Sequence, residues 1–115
     1  MIGQHLSPDY AQGDESTVGG YAAVHSRPAA FEGTDGTSYS VDVLVDVTGD
    51  GEHPWAAYLF FVRWSVGAPA LEGHLESDYV AGGASEADAR AAAGRLSLRE
   101  AKRVLDALIQ AEQQR

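Results

Sequence analysis

The clearest alternation of apolar and polar positions lies in the segment 38–47, SYSVDVLVDV. Every second residue from Tyr39 to Val47 is apolar, and the residues between them are mostly polar. A period of two is typical of a strand with one buried face, and the valines favour it further because β-branched side chains fit a pleated surface. We therefore predict a half-buried strand over 38–47.

Three other segments predict strands around this one. The segment 21–31 predicts a short edge strand, since its proline cannot donate to a ladder. The segment 55–66, WAAYLFFVRWSV, is apolar at both parities, as expected of a central strand. In 71–80, LEGHLESDYV, leucine and tyrosine alternate with charged residues, which predicts a second half-buried strand with Tyr79 in the core. The Asp35-Gly36 dipeptide predicts the tight turn that precedes 38–47.

The C-terminal part of the chain predicts two helices. Ser85 is placed to cap a short alanine-rich helix, and Ser97 with Glu100 has the capping-box spacing of a second one. In the second helix, apolar residues recur at spacings of three and four, which indicates one buried face: Leu98, Ala101, Val104, Leu105, Leu108 and Ile109. We predict an α+β fold, an antiparallel β-meander of about four strands with two C-terminal α-helices packed on one face.

Length and composition are those of one globular domain. The chain has 115 residues, 44% of them hydrophobic and 22% charged, with no cysteine. Residues 1–20 carry glycine, proline and scattered acids without a period, so we predict a flexible or loop-like N-terminal arm over 1–20 and a single α+β domain over 21–115. Without thiols, disulfides and zinc-thiolate sites are excluded.

Charge is distributed unevenly along the chain. The formal net charge is −9, and residues 1–84 hold twelve acids against only Arg27 and Arg63. Such a surface repels phosphate backbones, so we expect no nucleic-acid partner. No apolar run reaches the roughly 20 residues that a membrane-spanning helix needs, and the N-terminus lacks the pattern of a signal peptide, so we expect a cytoplasmic protein with no membrane partner.

The parity of strand pairing decides which residues face away from the helices. If residue i of 38–47 pairs with residue 103 − i, the valine row faces the core, and Arg63 stays out of it. The other parity would bury the Arg63 guanidinium, which is costly without a partner. The next hairpin then sets Arg63 opposite His74. This reasoning predicts an outer sheet face with an apolar stripe in an acidic surround, and its expected interface residues are Leu44, Leu59, Phe61, Arg63 and His74.

The segment 46-DVTGDGEHP-54 matches the first positions of a calcium-loop pattern. Asp46, Asp50 and Glu52 offer carboxylate oxygens, but the position that should supply a bidentate glutamate is Ala57. We therefore expect mainly a hairpin loop, with weak binding of a divalent cation as the alternative.

A second candidate metal site is the row Glu72, His74 and Glu76 on one face of a strand. Side chains two apart on a strand lie about 7 Å from one another, so a metal would need help from a neighbouring strand. The simpler interpretation is a set of cross-strand ion pairs with Arg63. His74 as a general base is a third possibility.

The sequence favours a non-catalytic function, because it lacks the nucleophile elbow, the phosphate loop and the zinc-protease motif. We expect a protein-interaction module, acting as a homodimer or an adaptor through the outer sheet face, with no cofactor. The alternative is a domain that binds a divalent metal or a small ligand at 46–54 or at the row of Glu72, His74 and Glu76.

Overall fold

The computed structural model of the chain describes residues 7–65 and 71–114. Within them lies one antiparallel sheet in the order β1-β2-β3-β4, with helices before and after it. The predicted α+β fold is confirmed. The strands are β1 (Ala30–Glu32), β2 (Ser38–Val47), β3 (Trp55–Trp64) and β4 (Leu71–Gly83), and the α-helices are α1 (Val18–His25), α2 (Glu86–Gly94) and α3 (Leu98–Gln113).

The predicted segments agree with these elements except near the N-terminus. β2 has the predicted bounds, β3 ends at Trp64, and β4 continues to Gly83. Val66 and the predicted turn over 67–70 lie outside the described residues. The capping box of α3 is present, since Ser97 Oγ accepts from Glu100 N and the Glu100 carboxylate accepts from Ser97 N. No helix among the described residues is long and apolar enough to cross a membrane.

The strand predicted over 21–31 is wrong, because residues 21–25 are the end of α1 and β1 begins only at Ala30. Only Ala30–Glu32 pairs with β2. Thr17 caps α1 by accepting from Gly20 N, and Val18 N donates to Leu96 O before α3. The cap is local, but the bond to Leu96 is a tertiary contact that a local pattern does not show. Gly19 allows α1 to approach α2, because a Cβ there would lie 3.1 Å from the Gly94 Cα.

The core lies between one face of the sheet and helices α2 and α3. Alanines on α2 and at the start of α3 bring the helices close to the sheet, and larger side chains fill the space between them. The buried apolar residues of this cluster include Tyr39, Val41, Val43, Leu59, Phe61, Ala89, Ala93, Ala101, Leu105 and Ile109. We call the sheet face that carries them the inner face and the opposite one the outer face.

The predicted register between β2 and β3 is wrong by one residue. Paired residues sum to 102, as in Tyr39 with Arg63 and Val41 with Phe61. A slip of one residue turns every β3 side chain to the other face. Leu59 and Phe61, predicted on the outer face, are therefore on the inner face and fully buried.

Arg63 also lies on the inner face, at the end of β3. Its charged guanidinium has hydrogen-bond partners there. Its Nη2 donates to Glu112 Oε1 of α3 at 2.6 Å, and its Nε donates to the Tyr39 hydroxyl at 2.9 Å. These two acceptors hold the pKa of Arg63 above its usual value. The premise that this parity would leave an unpaired buried guanidinium therefore fails.

The pairing of β3 with β4 is interrupted by irregularities. Arg63 pairs with Gly73 and Val62 with His74, so the predicted pairing of Arg63 with His74 is also wrong. The register then shifts on both sides of Tyr58, and within this stretch Leu59 N donates to Ser77 Oγ at 2.9 Å. Because of the shift, Tyr79, predicted in the core, lies beside Tyr58 and is 55% exposed.

Candidate functional site

The outer face of the sheet presents a row of large side chains from β3. Tyr58, Phe60 and Val62 are half-buried there, and Trp64 is 37% exposed. Among the described residues, α2 and α3 place their buried side chains in the core on the inner face, so neither of these two helices covers this row. Neighbours on β2 and β4 extend the row into what we call the aromatic face: Leu44, Tyr58, Phe60, Val62, Trp64 and Tyr79.

Contacts between strands hold these side chains in place, two of them between neighbouring strands and one from β4 across β3 to β2. The Phe60 ring stacks on the His74 ring, with centroids 4.7 Å apart and planes 16° from parallel. Trp64 Nε1 donates to Ser40 Oγ at 3.0 Å. The Tyr79 hydroxyl donates to Asp46 Oδ2 at 3.0 Å. The exposed aromatic surface is therefore fixed by cross-strand pairs.

The surround of the aromatic face is acidic. Asp42 and Asp46 project from β2 and Glu76 from β4, all of them exposed, and His74 is paired with Glu76 at 2.9 Å. Partial burial, together with the charges of Asp46 and Glu76, raises the pKa of Tyr58. The hydrogen bond to Asp46 and partial burial raise the pKa of Tyr79. Both phenols therefore stay neutral donors beside the carboxylates.

A shallow depression lies at the acidic end of the aromatic face. Its volume is about 560 Å³, and its lining combines two phenol rings with carboxylates: Asp46, Tyr58, Glu76, Ser77, Asp78 and Tyr79. The two rings lie 6.2 Å apart between their centroids. A lining of carboxylates and π faces without a lysine or arginine attracts positive charge.

The structure separates the five predicted interface residues. Leu44 and His74 lie on the outer face, as expected from the alternation in their strands. Leu59 and Phe61 belong to the core, and Arg63 is engaged with α3 on the inner face. Sequence reasoning also missed Tyr58, Phe60 and Trp64, since β3 is apolar at both parities and its pattern does not choose a face.

The loop at 46–54 is closed by its own polar groups. Thr48 Oγ1 donates to His53 O, and Asp50 Oδ1 accepts from Glu52 N. The backbone N–H groups of Glu52 and His53 lower the pKa of Asp50. Asp46 turns instead to Tyr79 on the sheet. These contacts are those of a hairpin connector, in which carboxylates cap backbone donors.

The row on β4 is only partly described, because the Glu72 side chain lies outside the described residues. His74 Nε2 lies 2.9 Å from Glu76 Oε2, and the His74 ring covers Phe60. Across the described part of the chain, no group of three or more histidine, aspartate or glutamate side chains is placed to hold a metal ion. Binding of a cation at Asp46, Asp50 and Glu52, or at the β4 row, stays a prediction.

Comparison with known proteins identifies no relative. No protein-family model matches the chain, and no match is found among curated proteins or among solved structures. A functional assignment therefore has to come from the chemistry of the outer face.

Proposed function

We propose that the chain is a non-catalytic interaction module that binds a partner protein through the aromatic face. The observation that carries the proposal is the row of Tyr58, Phe60, Val62 and Trp64, half-buried to exposed, which neither α2 nor α3 covers within the described residues, because both helices pack on the opposite face of the sheet. Exposed contiguous apolar patches mark interaction surfaces, and tyrosine and tryptophan are enriched at interfaces.

Charge selects the kind of partner. The carboxylates of Asp42, Asp46 and Glu76 surround the aromatic row, and the whole chain has a formal net charge of −9. If two copies packed outer face to outer face, these carboxylates would be brought together, which is costly. We therefore expect a different protein, one that presents apolar side chains together with lysine or arginine.

Site-specific photo-crosslinking tests the proposal. A photoreactive amino acid is placed at Phe60 on the aromatic face and, as the control, at the exposed Gln110 on α3. The expected result is a protein captured from cells at Phe60 and not at Gln110. Binding of the purified captured protein must then be lost in the double variant Phe60→Ser, Trp64→Ser, whose circular dichroism stays that of the wild type.

Two outcomes contradict the proposal. Equal capture at Phe60 and Gln110 would show that the aromatic face has no preference, and unchanged binding by the double variant would show that the captured protein sits elsewhere. Crosslinks between two copies, with a mass that rises with concentration in light scattering, would establish a homodimer instead of a basic partner.

A further inference from the structure

The sheet has an open edge on β2, because β1 is much shorter than its neighbour. β1 pairs only with Ser38–Ser40, and the last backbone bond on this side runs from Val41 N to Ala29 O at 3.0 Å. The residue before Ala29 is Pro28, which has no N–H to continue the ladder. Beyond Val41, no strand of the described part of the chain lies beside β2 on this side.

Alternation along β2 identifies the groups at this edge. In an antiparallel strand, successive residues direct their N–H and C=O groups to opposite sides. Since Val41 N points toward β1, the backbone groups of Val43 and Val45 point toward the open edge. Side chains cap Val43: its N–H donates to Asp42 Oδ1 at 2.8 Å, and its C=O accepts from Arg90 Nη1 at 2.8 Å.

The cap on the Val43 carbonyl can be exchanged for another donor. The Arg90 side chain is 48% exposed, and its Nη2 also donates to Glu86 at 3.2 Å. Arg90 can therefore leave the carbonyl and keep a partner on its own helix. Capping an edge by a charged side chain is one way in which proteins protect a strand from unwanted pairing.

An apolar cavity of about 270 Å³ lies beside this edge. Val18 and Ala22 of α1 and Val41 and Val43 of β2 supply apolar side chains to its lining. Three charged residues also belong to the lining: Arg27, Asp42 and Arg90. The volume is below the roughly 300–1,000 Å³ of a small-molecule pocket, so it fits aliphatic side chains better than a whole ligand. A strand added next to β2 would direct every second side chain toward this cavity, since the inner-face row of β2 borders it.

We propose that the open edge of β2 is a strand-addition site for an extended peptide with alternating apolar and basic residues. The apolar residues lie opposite Val43 and Val45 and fill the cavity. The basic residues lie on the outer side, opposite or diagonal to Asp42 and Asp46. This pattern matches both faces of β2, and main-chain hydrogen bonds to the Val43 carbonyl and to Val45 hold the peptide, while the Val43 N–H keeps its bond to Asp42.

A second copy of β2 fits this edge less well than a basic peptide does. In the symmetric antiparallel pairing centred on Leu44, Asp42 of each copy lies opposite Asp46 of the other. Like charges directly opposite each other destabilise a strand pair. Lysine or arginine at the same positions turns this repulsion into attraction. The edge is distinct from the aromatic face, so this proposal stands independently of the function proposed above.

The probe is a fluorescein-labelled heptapeptide, Val-Lys-Val-Lys-Val-Lys-Val, titrated into the full chain. The expected result is saturable binding, with amide shifts centred on Val43 and Val45 and slower hydrogen exchange at Val45. Methylating the peptide nitrogen that faces Val45 removes one hydrogen bond and is expected to weaken binding about tenfold. Replacing the lysines by glutamates is expected to abolish it, because each charge then repels Asp42 and Asp46.

Variants of the chain test the same contacts from the other side. Val45→Pro removes the outward N–H and is expected to weaken binding about tenfold, while Val45→Thr keeps the N–H and the branched shape and binds like the wild type. Arg90→Ala frees the Val43 carbonyl and is expected to strengthen binding about threefold. If Val45→Pro unfolds the sheet, the methylated peptide still tests whether the main-chain hydrogen bond at Val45 contributes to binding.

Four results would overturn the proposal. One is the absence of saturable binding by the lysine peptide. Another is equal affinity for the methylated and unmethylated peptides. A third is a wild-type dimer whose intermolecular contacts lie along β2, since a second copy would then be the occupant. The fourth is loss of binding in the Phe60→Ser, Trp64→Ser variant, which would assign the peptide to the aromatic face, whereas unchanged binding in that variant separates the two sites.

Discussion

The contact between Arg63 and Glu112 ties the last turn of α3 to the end of β3, and replacing either residue tests how much it stabilises the fold. The two side chains are 22% and 39% exposed, respectively, and their closest atoms lie 2.6 Å apart. Buried charge-assisted hydrogen bonds are worth about 1.5–3 kcal/mol, and exposed ion pairs about 0.2–1 kcal/mol. Because the exposure of Arg63 and Glu112 lies between these two cases, we expect a coupling free energy of about 1–1.5 kcal/mol between the two side chains.

The two single replacements are expected to differ in cost. Arg63→Met leaves the Glu112 carboxylate unpaired near the C-terminus of α3, where the helix dipole disfavours negative charge. It also removes a donor to the Tyr39 hydroxyl. We expect a loss of about 2 kcal/mol in the free energy of unfolding, composed of the coupling and the dipole term. Glu112→Gln relieves the unfavourable dipole interaction and keeps an acceptor oxygen, so it is expected to cost only about 0.5–1 kcal/mol.

Urea unfolding followed by circular dichroism measures these differences. The wild type, both single variants and the double variant form a double-mutant cycle, which isolates the coupling. The slope of the free energy against urea should stay constant. Arg99→Met, at an exposed position of α3, serves as the control and is expected to change stability by less than about 0.5 kcal/mol. A coupling near zero, or a larger loss for Glu112→Gln than for Arg63→Met, would refute the reasoning.

Two further predictions concern a glycine contact and an acid transition. Gly20→Ala would place a Cβ 1.9 Å from the Asp14 carbonyl oxygen and is expected to lower the free energy of unfolding by about 2 kcal/mol or more. The control Gly51→Ala meets nothing within 4 Å and should change the free energy of unfolding little. Thermal unfolding compares the two variants. Burial acts to raise the pKa of Asp35, but hydrogen bonds from Tyr39 and Thr37 and the charge of Arg63 outweigh it, so the net shift is downward from 3.8. This carboxylate therefore adds stability that is complete above pH 3.8 and is lost as the pH falls through its lowered folded pKa. Asp35→Asn should lower stability at pH 7 and flatten its decline in acid, and an equally steep decline in this variant would argue against the assignment.

Sequence patterns predicted the strands and helices that are determined by neighbouring residues. β2 has its predicted bounds because alternation and β-branched residues act together, and α3 begins at its predicted capping box. α1 was missed because its stability comes from distant contacts, such as Val18 N with Leu96 O. Its glycines and the following Pro28 favour a loop when they are considered alone.

Which residues lie on the outer face depends on the parity with which β2 and β3 pair. The polar groups of β3 explain why the predicted parity is wrong. The predicted register would place the Tyr58 hydroxyl and the Trp64 indole N–H on the inner face beside the valine row. Buried tyrosine and tryptophan need hydrogen-bond partners there. The observed register places two β3 side chains with polar groups inward, Arg63 and Trp55. The Arg63 guanidinium reaches Glu112 at the margin of the core, and Trp55, the first residue of the strand, is only partly buried.

The register that places β3 in the fold also determines the proposed interaction surface. Leu59 and Phe61 have no polar group to satisfy, so they fill the core without cost, whereas Tyr58 and Trp64 combine a large apolar area with a polar tip that suits a half-exposed position. The parity that best satisfies the core is therefore the one that leaves an aromatic row uncovered between Asp42, Asp46 and Glu76. A slip back by one residue would bury that row and expose Phe61. The stability of the core and the availability of the aromatic face are thus set by the same register. A replacement such as Phe60→Ser changes the aromatic face while leaving the core intact.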